Sequence, residues 1–158
     1  MDQHDAAIYR VVLASTQSRI VQRSTAGPLE SMGDVAERIA MHADALPGLD
    51  GSTIRSFLAR HRMETPVPDL GDSSIVWMSR EEWRAFAGRR NGWAALDERH
   101  PGNAGVILLS RVGYASDGTQ ALVYVTTACP LCGSGEYVLL ARRGNGWTIT
   151  GRAQDWVS

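Results

Sequence analysis

The chemistry this chain could carry starts at Cys129-Pro130-Leu131-Cys132-Gly133, which holds both of its cysteines. The C-x-x-C spacing brings two sulfurs around one tight turn, and three uses of such a turn can be weighed. As a zinc knuckle, the pair supplies two thiolates where a structural zinc takes four ligands. No second cysteine pair exists, and His4, His42, His61 and His100 are scattered without metal spacing. As a redox dithiol, the pair needs a lowered thiol pKa, commonly provided by a helix N-terminus. The residues that follow, Gly133-Ser134-Gly135-Glu136-Tyr137-Val138, predict a strand instead. As a staple, a disulfide or two small thiols would pin a glycine-rich hairpin turn, although closing so short a loop constrains the unfolded chain little. The staple is the favoured reading. Metal binding or thiol redox chemistry by Cys129 and Cys132 is the alternative, and no cofactor is expected.

Other reactive groupings are thin. There is no G-x-S-x-G, and Gly133-Ser134-Gly135 lies between strands rather than on a strand-to-helix elbow. His100 precedes Pro101-Gly102 in a loop, and His61 sits on an apolar helical stripe where a packed or hydrogen-bonded ring is expected. Asp69 and Asp72 flank Leu70-Gly71 as turn formers, and Glu81-Glu82 are accounted for by helix capping. Five tryptophans, Trp77, Trp83, Trp93, Trp147 and Trp156, suit a core, each with an N–H to satisfy. Trp77, Trp83, Trp93, His100, Tyr124, Arg142 and Arg143 are the candidates for lining a pocket or meeting a partner, which would be a protein or a small molecule.

Length and composition bound the rest. A chain of 158 residues with 44% hydrophobic and 21% charged residues has the size and balance of one globular domain. A net charge of −1 gives no nucleic-acid footprint. All 16 basic residues are arginine, which rules out a catalytic lysine, a Schiff base and a P-loop lysine. No apolar run approaches the ~18 residues of a membrane span. Met1-Asp2-Gln3-His4-Asp5 lacks the form of a signal peptide. The expected location is therefore cytoplasmic, or exported or periplasmic if a leader has been removed.

The elements that must position these residues change character near residue 72. Residues 1–72 are helix-rich. Residues 4–20 and 29–43 carry helical spacing, with Pro28 at the start of the second segment and Val11-Val12-Leu13 as a possible strand start. Ser52 is placed to cap a third helix bearing Ile54, Phe57, Leu58 and His61. Residues 73–100 hold a short strand at 74–78, then a helix opened by the capping box Ser79-Arg80-Glu81-Glu82 and ending near Gly88, then a helix over 92–99. Residues 104–158 read as an antiparallel β-meander: Val106 to Tyr114, a turn at Asp117-Gly118, Ala121 to Thr127, the cysteine turn, Tyr137 to Ala141, and an Asn-Gly type I′ turn before Trp147. The expectation is one α+β domain over 1–158, with N-terminal helices packed on one face of a C-terminal antiparallel meander of four to five strands.

The progression Ser110-Arg111-Val112-Gly113-Tyr114, Ala121-Leu122-Val123-Tyr124-Val125, Cys129-Pro130-Leu131-Cys132-Gly133-Ser134-Gly135, Tyr137-Val138-Leu139-Leu140 and Gly146-Trp147 resembles a family of uncharacterised, often exported bacterial proteins. The resemblance covers about residues 104–158. Here Cys-Pro stands where that family more often has Cys-Gly. It brings no activity to transfer. The tail is also loosely similar to nuclear-transport-factor-2-like domains, in which a curved sheet and helices enclose a pocket. The leading expectation is a non-catalytic binding or interaction domain with a structural cysteine turn, and an enzyme is not favoured. The alternatives are a small-pocket ligand binder or enzyme of the nuclear-transport-factor-2-like kind, and a thiol redox or zinc protein.

Overall fold

The computed structural model describes residues 3–28, 31–103 and 105–158. Its elements run α1 (Gln3–Ala14), β1 (Ile20–Gln22), α2 (Met32–Met41), a 3₁₀ turn (Ala43–Ala45), α3 (Gly51–His61), β2 (Val76–Met78), α4 (Arg80–Ala87), α5 (Gly92–Arg99), β3 (Val106–Leu109), β4 (Gly113–Tyr114), β5 (Gln120–Ala128), β6 (Ser134–Arg143) and β7 (Gly146–Val157). The strands form one seven-stranded sheet in the order β2-β1-β3-β5-β6-β7, with β4 paired to β5. The fold is α+β, and the long hairpins β5–β6 and β6–β7 are antiparallel.

The sheet is larger than a meander of four to five strands, and it is mixed. β1 pairs in parallel with both β2 and β3, through Ile20↔Val76 and Ile20↔Val106. The first of these strands was masked in the sequence because Ile20-Val21-Gln22 continues an apparent helical spacing. In the structure α1 stops at Ala14, where the Ser15 and Thr16 hydroxyls bond back to the carbonyls of Val12 and Leu13 at 2.6 and 2.8 Å. Such back-bonding competes with helix continuation. Val11-Val12-Leu13 stays in the helix. The expected strand from Val106 to Tyr114 divides at Ser110, so that β3 and β4 both pair with β5.

Helices cover both faces, not one. Alternation along β5 explains this. Ala121, Val123 and Val125 join Val138 and Leu140 in a core under Ile8, Tyr9, Val12 and Leu13 of α1. Leu122, Tyr137 and Leu139 face the other way, onto Val35 and Ile39 of α2 and Phe57 of α3. Farther along that second face, Ile20, Met78 and Val106 pack with Leu96 of α5 and with Trp83, Phe86 and Trp93. Two helical pairs, α2–α3 and α4–α5, thus sit on one face, and the sheet between them is left to other groups.

Local signals set most helix ends. Ser79 and Glu82 form the expected capping box, and α4 ends at Gly88. Asp50, rather than Ser52, caps α3: its carboxylate accepts from the Ser52 N–H at 2.7 Å, and Ser52 also donates its hydroxyl to that carboxylate. Ser31 caps α2, so the expected start beside Pro28 moves inward; residues 29 and 30 lie outside the described residues. The β6–β7 turn places its positive φ on Gly144 (59°), while no positive φ falls on Asn145. The turn is therefore of the kind that needs glycine first, not the type I′ expected from Asn-Gly.

Candidate functional site

Four strands and two helices converge on a cavity of about 140 Å³ in the uncovered stretch of the second face. Its lining includes His61 from α3, Val35 from α2, Leu108 and Ser110 from β3 and its end, Tyr124 and Thr126 from β5, Tyr137 from β6 and Trp156 from β7, with Ala26–Pro28 at the rim. Tyr124, Thr126, Tyr137 and Leu108 share a face because Tyr124 is directly opposite Tyr137 and Leu108 directly opposite Thr126. The rings form a connected wall. Tyr124 and Tyr137 meet edge to face at 4.7 Å, His61 stacks on Phe57 at 4.7 Å, and Phe57 meets Tyr137 at 6.1 Å.

His61 is the polar centre of this wall. It is 5% exposed, and its Nδ1 is sealed without a hydrogen-bond partner. Burial lowers its pKa to about 4, so the ring is neutral at pH 7. A buried N–H without an acceptor is costlier than a lone pair without a donor, which places the proton on Nε2. That nitrogen is not among the sealed, unpartnered atoms, and the ring that carries it lines the cavity.

A second set of groups holds the far wall. The Asp155 carboxylate, 3% exposed, accepts from Tyr124 Oη at 2.9 Å and from Arg38 Nη1 at 2.8 Å, and lies 3.1 Å from His42 Nε2. Burial acts to raise the Asp155 pKa, but the hydrogen bonds from His42, Tyr124 and Arg38 outweigh it and hold the carboxyl below its usual range. Burial first, and the bond to Asp155 second, push the Tyr124 phenol well above the ordinary tyrosine range. The indole N–H of Trp156 approaches the same hydroxyl. Ser110 is satisfied: its hydroxyl donates to the Arg111 carbonyl at 2.8 Å and accepts from the Tyr124 N–H at 2.8 Å.

The residues singled out from sequence divide among several places. Cys129 and Cys132 are joined as a disulfide, with Cα atoms 5.4 Å apart. They share a cleft with Trp93 and His100, and with Asp97 and Asn103, between α5 and the cysteine turn. Trp83 meets Trp93 edge to face at 5.8 Å within the α4–α5 core. Trp77 lies beside the α1 core with the Arg23 guanidinium 5.3 Å from its ring centre. Tyr124 alone of this group lines the His61 cavity. Arg142 and Arg143 are exposed at the β6–β7 hairpin tip.

Sequence reasoning placed His61 as a packed ring and passed over Tyr137, Trp156, Asp155, Arg38 and His42 as site residues. A usable signal existed for part of this. A histidine interrupting an apolar helical stripe, and tyrosines at matching positions of two paired strands, both mark polar groups directed inward. Among the described residues no three His, Cys, Asp or Glu side chains cluster as metal ligands, and no helix is long and apolar enough to cross a membrane. Compared with models of protein families, with curated proteins and with solved structures, the chain finds no match in any of the three.

Proposed function

We propose that this protein is a non-catalytic binding domain that takes a small, uncharged, ring-containing molecule with a hydrogen-bond acceptor in the His61 cavity. The observation that carries the reading is the neutral, buried His61 ring on the wall of an aromatic-lined cavity. A polar ring in such a wall is a directed contact within a mostly apolar pocket, the usual make-up of a small-molecule site. The cavity volume of about 140 Å³ is on the scale of an apolar cavity of about 150 Å³ that takes benzene. The aromatic walls supply ring faces, and the His61 ring supplies a donor. The charge of Asp155 is spent on Tyr124, Arg38 and His42, which favours a neutral ligand over a cation.

Acetophenone is a suitable probe, since it joins a benzene ring to a carbonyl acceptor. Titration should give a Kd of roughly 0.1–1 mM, about 4–5.5 kcal/mol. It should also shift the His61 Nε2 resonance. His61→Phe should weaken the probe at least fivefold while leaving the protein folded. Absence of any His61 shift at saturating probe would refute the reading.

A further inference from the structure

The cavity wall and the disulfide are physically adjacent. Gly133 follows Cys132 directly, and a Cβ built there would lie 3.2 and 3.3 Å from the benzo edge of the Trp156 indole and 2.9 Å from Ser158 Oγ. The Gly133 carbonyl accepts from the Ser158 N–H at 2.8 Å. Gly135, two residues on, is opposite Trp156 in the β6–β7 ladder, and a Cβ there would collide with both the indole nitrogen and Tyr124 Oη. The indole therefore lies against the strand that leaves the cysteine turn, lines the cavity, and is otherwise open to solvent, being 38% exposed.

The turn itself is held in an unfavourable form. Leu131, between the two cysteines, has φ 62°, the only positive φ on a non-glycine side chain among the described residues, and its side chain is 97% exposed. No packing at Leu131 compensates the left-handed backbone. The covalent bridge joins the two ends of the turn. Cys132 is exposed, whereas Cys129 is half-buried against Gly105, where a Cβ would come within 2.8 Å of Cys129 Cβ.

We infer that Cys129–Cys132 is a reducible regulatory site, open to a low-molecular-weight dithiol, whose state sets the position of Trp156 and so the affinity of the His61 cavity. The affinity part rests on the binding function proposed above. In the reaction a dithiol thiolate attacks the exposed Cys132 sulfur. The Cys129–Cys132 bond breaks, and Cys129 leaves as a thiolate that takes a proton from water. The second thiol of the reductant then displaces Cys132, which is protonated in turn, and the reductant departs as a cyclic disulfide. Two electrons pass from the dithiol to the protein. With the bridge open, Leu131 can return to an ordinary φ, Gly133 shifts, and the indole loses its backing.

The test follows the Trp156 indole N–H by NMR, assigned with Trp156→Phe, in oxidised protein, in protein reduced with dithiothreitol, and in Cys129→Ser/Cys132→Ser. Reduction and the double variant should both move the indole resonance and speed its exchange with water at least tenfold, while the amides of Val123 and Val138 keep their protection. Acetophenone should bind at least fivefold more weakly to the reduced form. If the reduced protein loses its core protection as well, Gly133→Ala in the oxidised state serves as the second probe and should shift the same resonance. An indole signal unmoved by reduction, or unmoved by Gly133→Ala, overturns the switch. Equal probe binding in both states with an unmoved indole removes the switch and keeps the pocket. A moved indole without probe binding in either state removes the pocket and keeps the switch.

Discussion

Tyr124 on β5 donates its phenol to Asp155 on β7 at 2.9 Å, although β6 lies between those two strands. The bond spans the intervening strand because Gly135 of β6 offers no side chain there. A Cβ at that position would press on Tyr124 Oη and would come within 2.9 Å of Trp156 Cδ1. The glycine is thus a gap through which two strands that are not neighbours join side chains.

Filling the gap should break the arrangement. Gly135→Ala is expected to cost about 1–3 kcal/mol, the range for overpacking a close contact. Urea denaturation should show a lowered midpoint with an unchanged slope, and Tyr124 and Trp156 should be the residues whose resonances move most. A variant as stable as the parent would show that the gap is not needed.

Removing the carboxylate tests the same joint from the other side. Asp155→Ala strips acceptors from Tyr124, Arg38 and His42, and should destabilise by about 2–3 kcal/mol, with the half-exposed Arg38 contributing little. Because the native carboxyl lies below its unfolded value of about 3.8, its contribution is fully present above that pH and is lost as pH falls through the native pKa. Asp155→Asn should therefore flatten the acid limb of a stability–pH curve below about pH 4.

His61 titrates in a different window. Its pKa is about 4 in the folded protein against 6.5 for the free side chain, so the unfolded chain binds a proton first as pH falls. Stability should decline from about pH 6.5 down to about pH 4, by about 3 kcal/mol in all, and then level off. His61→Phe should remove most of that slope. Urea midpoints at pH 7 and pH 5 for the two proteins measure it directly, and parallel slopes would show that His61 is not the group responsible.

A tie between sheet and helix gives a further expectation. Gln120, at the start of β5, accepts from the Asp50 N–H at 2.8 Å and from the Thr53 hydroxyl at 2.9 Å, and donates to the Gly48 carbonyl at 2.9 Å. Gln120→Ala leaves those groups at the first turn of α3 without partners. A loss of about 1–2 kcal/mol is expected, with early hydrogen exchange confined to residues 48–54.

How much of this could be read from the residues depended on range. Ser79–Glu82, the stop at Gly88 and the helix over 92–99 depend on neighbours a few residues away, and all are present. So are the β5–β6 and β6–β7 hairpins. The parallel pairing of Ile20 with Val76 and Val106 depends on partners more than fifty residues distant, and a three-residue strand carries too little periodicity to announce itself. The cavity was hidden for the same reason. His61, Ser110, Tyr124 and Trp156 come from separate elements, and nothing local in the sequence relates them. The cysteine turn was legible as a structural staple, with the choice between a disulfide and two thiols left open, while its place beside Trp156 was not legible.

The outermost long strand has a consequence of its own. β7 runs for twelve residues along the rim of the sheet, where a straight ribbon would invite a second chain to zip onto it. Two slips in its pairing with β6, at Gly135/Glu136 and Leu139/Leu140, bend it out of line. The 3₁₀ turn presses in beside Gly151, where a Cβ would come within 2.7 Å of the Ala45 carbonyl. A long rim is thus interrupted at two points, and the irregularity beside Gly135, where Tyr124 and Trp156 are accommodated, is also one of the devices that blunt an exposed sheet edge.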